Sequence, residues 1–297
     1  MTSVQKAYLE LHIAVLLFGF TAILGDLIQL NALMLVWWRV LMTSVSLVFF
    51  IKLPKAIKAI SPKILLQYGF IGVLVALHWL CFYGSIKLAN ASIALIAMAT
   101  TSFFSSIIEP LVMKRPFEWF EMMLGLLIIP GMALIVSTTD FSLFTGLMVG
   151  LLAALLASYF TILNKKLVGT SDEMTITFFE LGSSWLFLSV VIPIFYLTNS
   201  SKEVVSFWPS PSDWLYLIVL SLLCTTLAYI LALRSLRQLS AFASNLTVNL
   251  EPVYGIVLAW LILKENEELS IGFYVGVFII LLAIFSYPFL KKRFGKS

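Results

Sequence analysis

Apolar stretches of about bilayer length alternate with short polar connections along the whole chain. They run approximately over 7–25, 33–51, 64–86, 90–113, 119–137, 143–163, 174–197, 213–233, 240–263 and 271–290. A helix crossing the hydrocarbon needs about 20 mostly apolar residues. Barrel strands are excluded, because alternating polarity is absent and each run is about twice the length of a membrane strand. Helices satisfy their own backbone groups, as lipid demands. The pattern predicts an all-α polytopic membrane protein with ten transmembrane helices. Most connections are short. The longest, from Thr198 to Ser212, carries Pro209 and Pro211 and is the candidate junction or surface flap.

Basic residues orient the stack. With the N-terminus in the cytoplasm, the inner segments hold fifteen Lys and Arg: Lys6; Lys52, Lys55, Lys58 and Lys63; Lys114 and Arg115; Lys165 and Lys166; Arg234 and Arg237; Lys291, Lys292, Arg293 and Lys296. The outer loops hold three, Lys87, Lys202 and Lys264, and Arg39 lies within a span. This bias predicts cytoplasmic termini and an even number of spans in the plasma (inner) membrane. Lys6 ahead of the first run reads as the start of a retained span, since no small-residue cleavage pattern follows. The basic tail from Lys291 reads as an orientation signal in contact with anionic lipid. The acidic cluster Glu265, Glu267 and Glu268 reads as a solvated outer loop.

Composition agrees with the pattern. Hydrophobic residues are 61% of the 297 and charged residues 11%, and the mean hydropathy is +1.04. Soluble proteins average about 45–50% and 25%, and disorder needs low hydrophobicity. The net charge of +4 follows from the topology, so nucleic acid is not an expected partner. Cys81 and Cys224 lie inside apolar runs, and His12 and His78 have no neighbouring ligand residues, so neither a disulfide framework nor a metal site is predicted.

Ten spans divide into two sets of five. Because five is odd, a duplicated half would enter the membrane upside down, giving two inverted five-helix repeats over 1–140 and 141–297. A shift of 147 positions aligns Lys87 with Arg234, Glu118 with Glu265, Glu121 with Glu268 and Gly125 with Gly272. A shift of 141 aligns Arg39 with Glu180, an ionisable residue in the second span of each half.

Charges inside lipid cost roughly 2.5–3.5 kcal/mol on insertion scales and face a bundle interior or a wet cavity. Arg39, Glu109, Glu180 and Glu251 lie deep, and Glu10 lies near the inner end of the first span. Arg39 and Glu180 are candidates for a pair or polar gate; the alternative is a structural ion pair holding spans together. Ser102, Ser105, Ser106 and Glu109 share one helical face, and Ser240, Ser244, Thr247 and Glu251 share another, with Asn245 and Asn249 beside it. Two readings stand: a hydrated pathway, or close helix packing through Ser and Thr. The carboxylates favour the first, since packing does not need them. A proline follows each, in Glu109-Pro110 and Glu251-Pro252, and frees a carbonyl that polar groups must satisfy. His78, Trp79 and Tyr83 in the third span and Tyr229 in the eighth are further candidates for the pathway. His78 is also a candidate for proton coupling or for a plain interhelical hydrogen bond. Trp37, Trp38, Trp119, Trp208 and Trp214 read mostly as interfacial belt residues, with Trp38 closest to reaching inward.

The order of motifs resembles the EamA type of the drug/metabolite transporter superfamily over nearly the whole chain. The resemblance rests on Leu11 to Gly19 opening the first span, Trp37-Trp38-Arg39 in the second, Glu109-Pro110-Leu111 with Lys114-Arg115 ending the fourth, and Leu250-Glu251-Pro252-Val253 in the ninth. The first half departs from it at Phe104-Ser105, where the ninth span has Glu251-Pro252. The resemblance implies ten helices in two inverted halves around a central cavity, and movement of small metabolites, often outward.

A secondary transporter is therefore expected, working by alternating access and without its own ATP motif. No cofactor is expected. The expected partners are a small-molecule substrate, the bilayer, protons or another coupling ion, and a second copy in a homodimer. An intramembrane lipid-modifying enzyme is the alternative class, but Gly-x-Ser-x-Gly and His-Glu-x-x-His patterns are absent from the sequence. A lipid-carrier flippase is the alternative within transport.

Overall fold

The computed structural model describes residues 1–135, 144–198, 206–254 and 271–295, and the regular structure among them is helical. The boundary expected at 140/141, the residues Lys202, Lys264, Glu265, Glu267, Glu268 and Lys296, and the second half of the ninth stretch lie outside the described residues.

Local chemistry sets the helix starts. α1 (Ser3–Leu27) opens on a reciprocal cap, in which Thr2 accepts from the Gln5 N–H and the Gln5 side chain accepts from the Thr2 N–H. Asn31 caps α2 (Ala32–Val48). Phe49 to Lys52 then turn the chain through 97° into α3 (Leu53–Ala59), with Pro54 in its first turn. The expected second span therefore ends at Val48, because α3 buries no residue and carries Lys55 and Lys58. Ser61 caps α4 (Pro62–Leu88) and Pro62 occupies its first position, where the missing N–H costs nothing.

The fourth stretch is two helices, α5 (Ala91–Met98) and α6 (Thr101–Met113). α7 (Trp119–Ile135), α8 (Phe144–Leu167) and α9 (Glu173–Thr198) follow. α10 (Pro211–Ser221) passes through a π segment, Leu222–Leu227, into α11 (Ala228–Leu236). Ser240 caps α12 (Ala241–Val248), helix resumes over 251–254, and α13 (Ile271–Phe294) ends the bundle.

Among the described residues seven helical runs are long and apolar enough to span a membrane, or eight if α2 and α3 count as one. The seven are α1, α4, Ile93–Met113, α8, α9, Pro211–Leu236 and Tyr274–Phe294. Of the ten stretches expected, α7 and, without α3, α2 fall short in length, and the ninth is only partly described.

Two breaks match. α5 and α12 are each eight residues long, begin 150 positions apart, and end in a two-residue turn. At the first, the Thr100 and Thr101 hydroxyls donate to Ala97 O and Met98 O, each at 2.6 Å. At the second, the Asn249 and Leu250 N–H groups tighten onto Leu246 O at 3.3 Å and Thr247 O at 3.0 Å. Helix breaks inside lipid persist only where such groups re-satisfy the backbone.

The helices interlock across the chain. α4 packs on α8 and α9, α1 on α11, α2 on α9, α7 on α13, and α6 on α8 and α12. Gly72 sets the α4–α9 approach, because a Cβ there would overlap the Glu180 carbonyl oxygen. Ser184 Oγ donates to Gly72 O at 2.6 Å in the same seam.

The bundle ends differ. One gathers Arg234–Glu10 (3.5 Å), Arg115–Glu109 (3.2 Å), Arg115–Glu121 and Arg237–Glu173, with Lys165 Nζ donating to Leu236 O at 2.7 Å. The other is closed by aromatic rings. Trp38 Nε1 donates to Phe207 O at 2.8 Å, and the Trp38 ring lies 4.9 Å from Trp214 and 5.5 Å from Trp208. Trp37 packs on Trp38, Trp185 and Phe207. Trp37, Trp38 and Trp214 thus build a plug between α2, α9 and α10 rather than an interfacial belt, and of the expected belt residues Trp119 and Trp208 stay exposed.

Candidate functional site

The two helix breaks flank a central cavity of about 130 Å³. Met98 and Thr101 line it from the first break, and Val248 and Glu251 from the second. Its wall continues past Phe160 and Phe18 to Leu11 and Leu236, next to the charged end of the bundle. Most of the lining is apolar, with a few convergent polar groups, which is the usual make-up of a small-molecule site.

Arg39 is the cation of this cavity. Nε donates to Thr225 Oγ1 and an Nη to the Tyr83 hydroxyl, both at 2.6 Å, and the guanidinium lies 4.0 Å from the Trp79 ring centre. Hydrogen bonds to a charged group contribute about 1.5–3 kcal/mol each, and a desolvated cation–π contact about 2 kcal/mol. Together these offset the insertion cost of the buried charge. The π segment supplies Thr225: its hydroxyl donates to Leu220 O, five residues back, and so presents its lone pairs to Arg39.

Glu251 lies on the same cavity from the far break, with Thr21 Oγ1 3.4 Å from its carboxylate. The cavity therefore carries one basic and one acidic side chain. His78 Nδ1 contacts Ala153 O at 2.9 Å, and the ring packs against Phe160. Ser244, also on the cavity, is buried and its Oγ has no hydrogen-bond partner among the described residues.

Of the residues singled out from sequence, Arg39, His78, Trp79, Tyr229, Ser244, Asn245 and Glu251 line the cavity. Tyr83, Ser102, Ser105, Glu109, Glu180 and Asn249 are not among its lining residues. The serine face of α6 forms a seam with α12: Asn249 Nδ2 donates to Ser102 at 3.1 Å and Asn245 Nδ2 to Ser105 at 2.6 Å. Glu109 closes that seam by accepting from the Ala241 and Phe242 N–H groups at 3.0 and 2.8 Å, so its charge meets the positive end of α12 and Arg115. Arg39 and Glu180 do not pair. Glu180 accepts instead from the Tyr229 hydroxyl at 2.7 Å and from Asn164 at 3.4 Å.

Sequence reasoning missed Thr21, Thr101, Thr161, Asn164 and Thr225. Asn164, a lone amide late in an apolar run, was the one visible signal. The role of Thr225 depends on the π segment, which no local pattern announces.

Known proteins resemble the chain along its full length. A solved structure described as "Crystal structure of protein" shares the fold, with a TM-score of 0.76 at 14% identity over 98% of this chain and 99% of that one. The "Uncharacterized transporter YetK" of Bacillus subtilis (strain 168) is 23% identical over 97% of this chain and 88% of its own length. The model of the EamA-like transporter family matches twice, over residues 5–137 and 144–287. With multiple apolar spans, a cavity at the meeting of two broken helices and two successive matches to that model, this multi-pass membrane protein belongs to the EamA-like transporter family.

Proposed function

We propose that this chain is a secondary transporter that exports small amphipathic metabolites by alternating access. The observation that carries this reading is the central cavity, shared by Arg39 and Glu251 and lined from both matched segments. A mostly apolar site with one basic and one acidic side chain suits a compound with an apolar body and polar or ionic ends.

The mechanism rests on ten spans in two inverted halves, 1–140 and 141–297. The packing supports this, because contacts recur when the halves are exchanged: α4 on α8 answers α1 on α11, and α5 on α8 answers α12 on α1. The breaks after α5 and α12 are the matching hinges. Rocking one half on the other would exchange the aromatic plug for the charged end as the closed side. Both termini are cytoplasmic in this reading, in the plasma (inner) membrane. Gly125, one of the residues paired by the 147 shift, packs against the Phe103 backbone.

Reconstitution of the purified protein in liposomes with labelled phenylalanine, leucine, lysine and the dye ethidium, with and without a pH gradient, tests the proposal. Uptake dependent on the protein and abolished by Glu251→Gln or Arg39→Ala supports it. Movement of a compound that ignores both substitutions removes this cavity from the pathway. Growth of expressing and non-expressing cells on toxic analogues decides direction, and a reporter fused to each terminus decides orientation.

A further inference from the structure

One buried acid lies outside the substrate cavity and has no cationic partner among the described residues. Glu180 is fully buried on α9, and its Oε2 accepts from the Tyr229 hydroxyl at 2.7 Å and the Asn164 amide at 3.4 Å. Among the described residues Oε1 has no hydrogen-bond partner, nor does the Asn164 amide oxygen. Glu109 contrasts with it, held by Arg115 and two backbone N–H groups. A structural carboxylate at this depth is expected to have its lone pairs filled. This one keeps a vacant oxygen beside a vacant amide oxygen.

Both of its partners reach the cavity. Tyr229 and Asn164 line it, while Glu180 sits behind them. The Tyr229 hydroxyl donates to Glu180 at 2.7 Å and accepts from Asn164 Nδ2 at 3.0 Å, and because Tyr229 also lines the cavity it is the short bridge between carboxyl and cavity. The titratable and charged residues on the elements packed against α9 are few near this level: Tyr68 and His78 on α4, Arg39 on α2, and Tyr229 and Arg234 on α11. Tyr68 bonds Thr170, His78 bonds Ala153 O, Arg39 bonds Thr225 and Tyr83, and Arg234 pairs with Glu10. Only Tyr229 among them bonds the Glu180 carboxylate.

We infer that Glu180 is a proton-binding site separate from the substrate site, loaded from the cavity through the Tyr229 hydroxyl. In the loading step Tyr229 passes its hydroxyl proton to Glu180 and takes one from the cavity. One proton is thus gained by the carboxylate, and the tyrosine is restored. The acid then has a hydroxyl to donate to the vacant Asn164 oxygen after a turn of that amide, which couples the charge of Glu180 to the cavity wall. The inference rests on the transporter reading for its purpose, though not for its chemistry.

The test is infrared difference spectroscopy of the full-length protein in lipid, recorded across a pH titration. A protonated-carboxyl carbonyl band is expected to grow as pH falls. It is expected to vanish in Glu180→Gln, to persist in Glu251→Gln, and to shift in position and midpoint in Tyr229→Phe. A Glu180→Gln spectrum that superimposes on the wild type overturns the inference. So does a Glu180 band present unchanged at every pH, which would mark a fixed hydrogen bond. A band that answers sodium at constant pH as it answers protons also overturns it. In liposomes, Glu180→Gln is expected to retain exchange of whichever panel compound moves, yet to lose at least tenfold of its acceleration by a pH gradient. If nothing in the panel moves in any variant, the transporter reading fails, while the infrared band still decides Glu180.

Discussion

Asn245 and Ser105 stand 2.6 Å apart, the middle rung of an antiparallel ladder between α12 and α6. Asn249 meets Ser102 on one side, and the α12 N-terminus meets Glu109 on the other. As position numbers rise on α6 they fall on α12. Two broken helices thus run in opposite directions with their breaks at one level, and the cavity opens where both helices are interrupted.

Glu109 anchors that ladder, so Glu109→Gln is expected to lower stability by about 1–3 kcal/mol, the range for losing a charged hydrogen-bond partner. Gln keeps one acceptor for the Ala241 and Phe242 N–H groups but releases Arg115. Thermal unfolding in detergent measures the loss. Arg115→Ala should give a smaller drop, because its side chain is partly exposed. Substrate affinity should be little changed by either, since neither residue lines the cavity.

Gly72→Ala is expected to destabilise the α4–α9 seam by about 1–3 kcal/mol, the usual cost of overpacking, because the added carbon meets the Glu180 backbone. Gly69→Ala, one turn earlier, meets only Ser183 Oγ at 3.6 Å and should be near neutral. Melting temperatures of the two variants should differ clearly; equal values would refute the close approach.

Arg39→Lys keeps the charge and loses the planar fork. Lysine cannot hold Thr225 and Tyr83 together while stacking on Trp79. A decrease of about tenfold in transport is expected, equivalent to about 1.4 kcal/mol, within the worth of one charged hydrogen bond. Full activity in Arg39→Lys would show that only the charge matters.

Removing the Trp38 ring should unseal the aromatic end. Cys224 is 1% exposed and lies in the π segment beside Thr225. In a Cys81→Ser background, a membrane-impermeant thiol reagent is expected to leave Cys224 untouched and to label it in Trp38→Ala. Equal labelling would show that the plug does not control access.

Much of this was legible in the sequence, for physical reasons. Apolar runs of bilayer length leave little choice but helices, and buried Arg39 and Glu251 are costly enough to need the cavity they border. Periodicity placed Ser102, Ser105 and Glu109 on one face, but a face does not disclose what covers it, and here α12 covers it. The breaks at Ala99-Thr100 and Asn249-Leu250 contain neither glycine nor proline, so propensity gave no warning of them. The bend after Val48 was signalled only by lysines and Pro54. That Trp37 and Trp214 join Trp38 in the plug was not legible, because belt and plug residues share one composition, and Phe207, brought in from the segment before α10, packs against Trp37 and Trp38.

The wide turn at Leu222–Leu227 holds slack in the helical winding. Deleting one residue there would let an ordinary helix form, at the expense of rotating everything downstream by about 100°. Tyr229 would swing off the cavity wall and Arg39 would lose Thr225, one of its two hydroxyl partners. The phase of this one span, set by a single turn, thereby fixes one partner of Arg39 and one of Glu180.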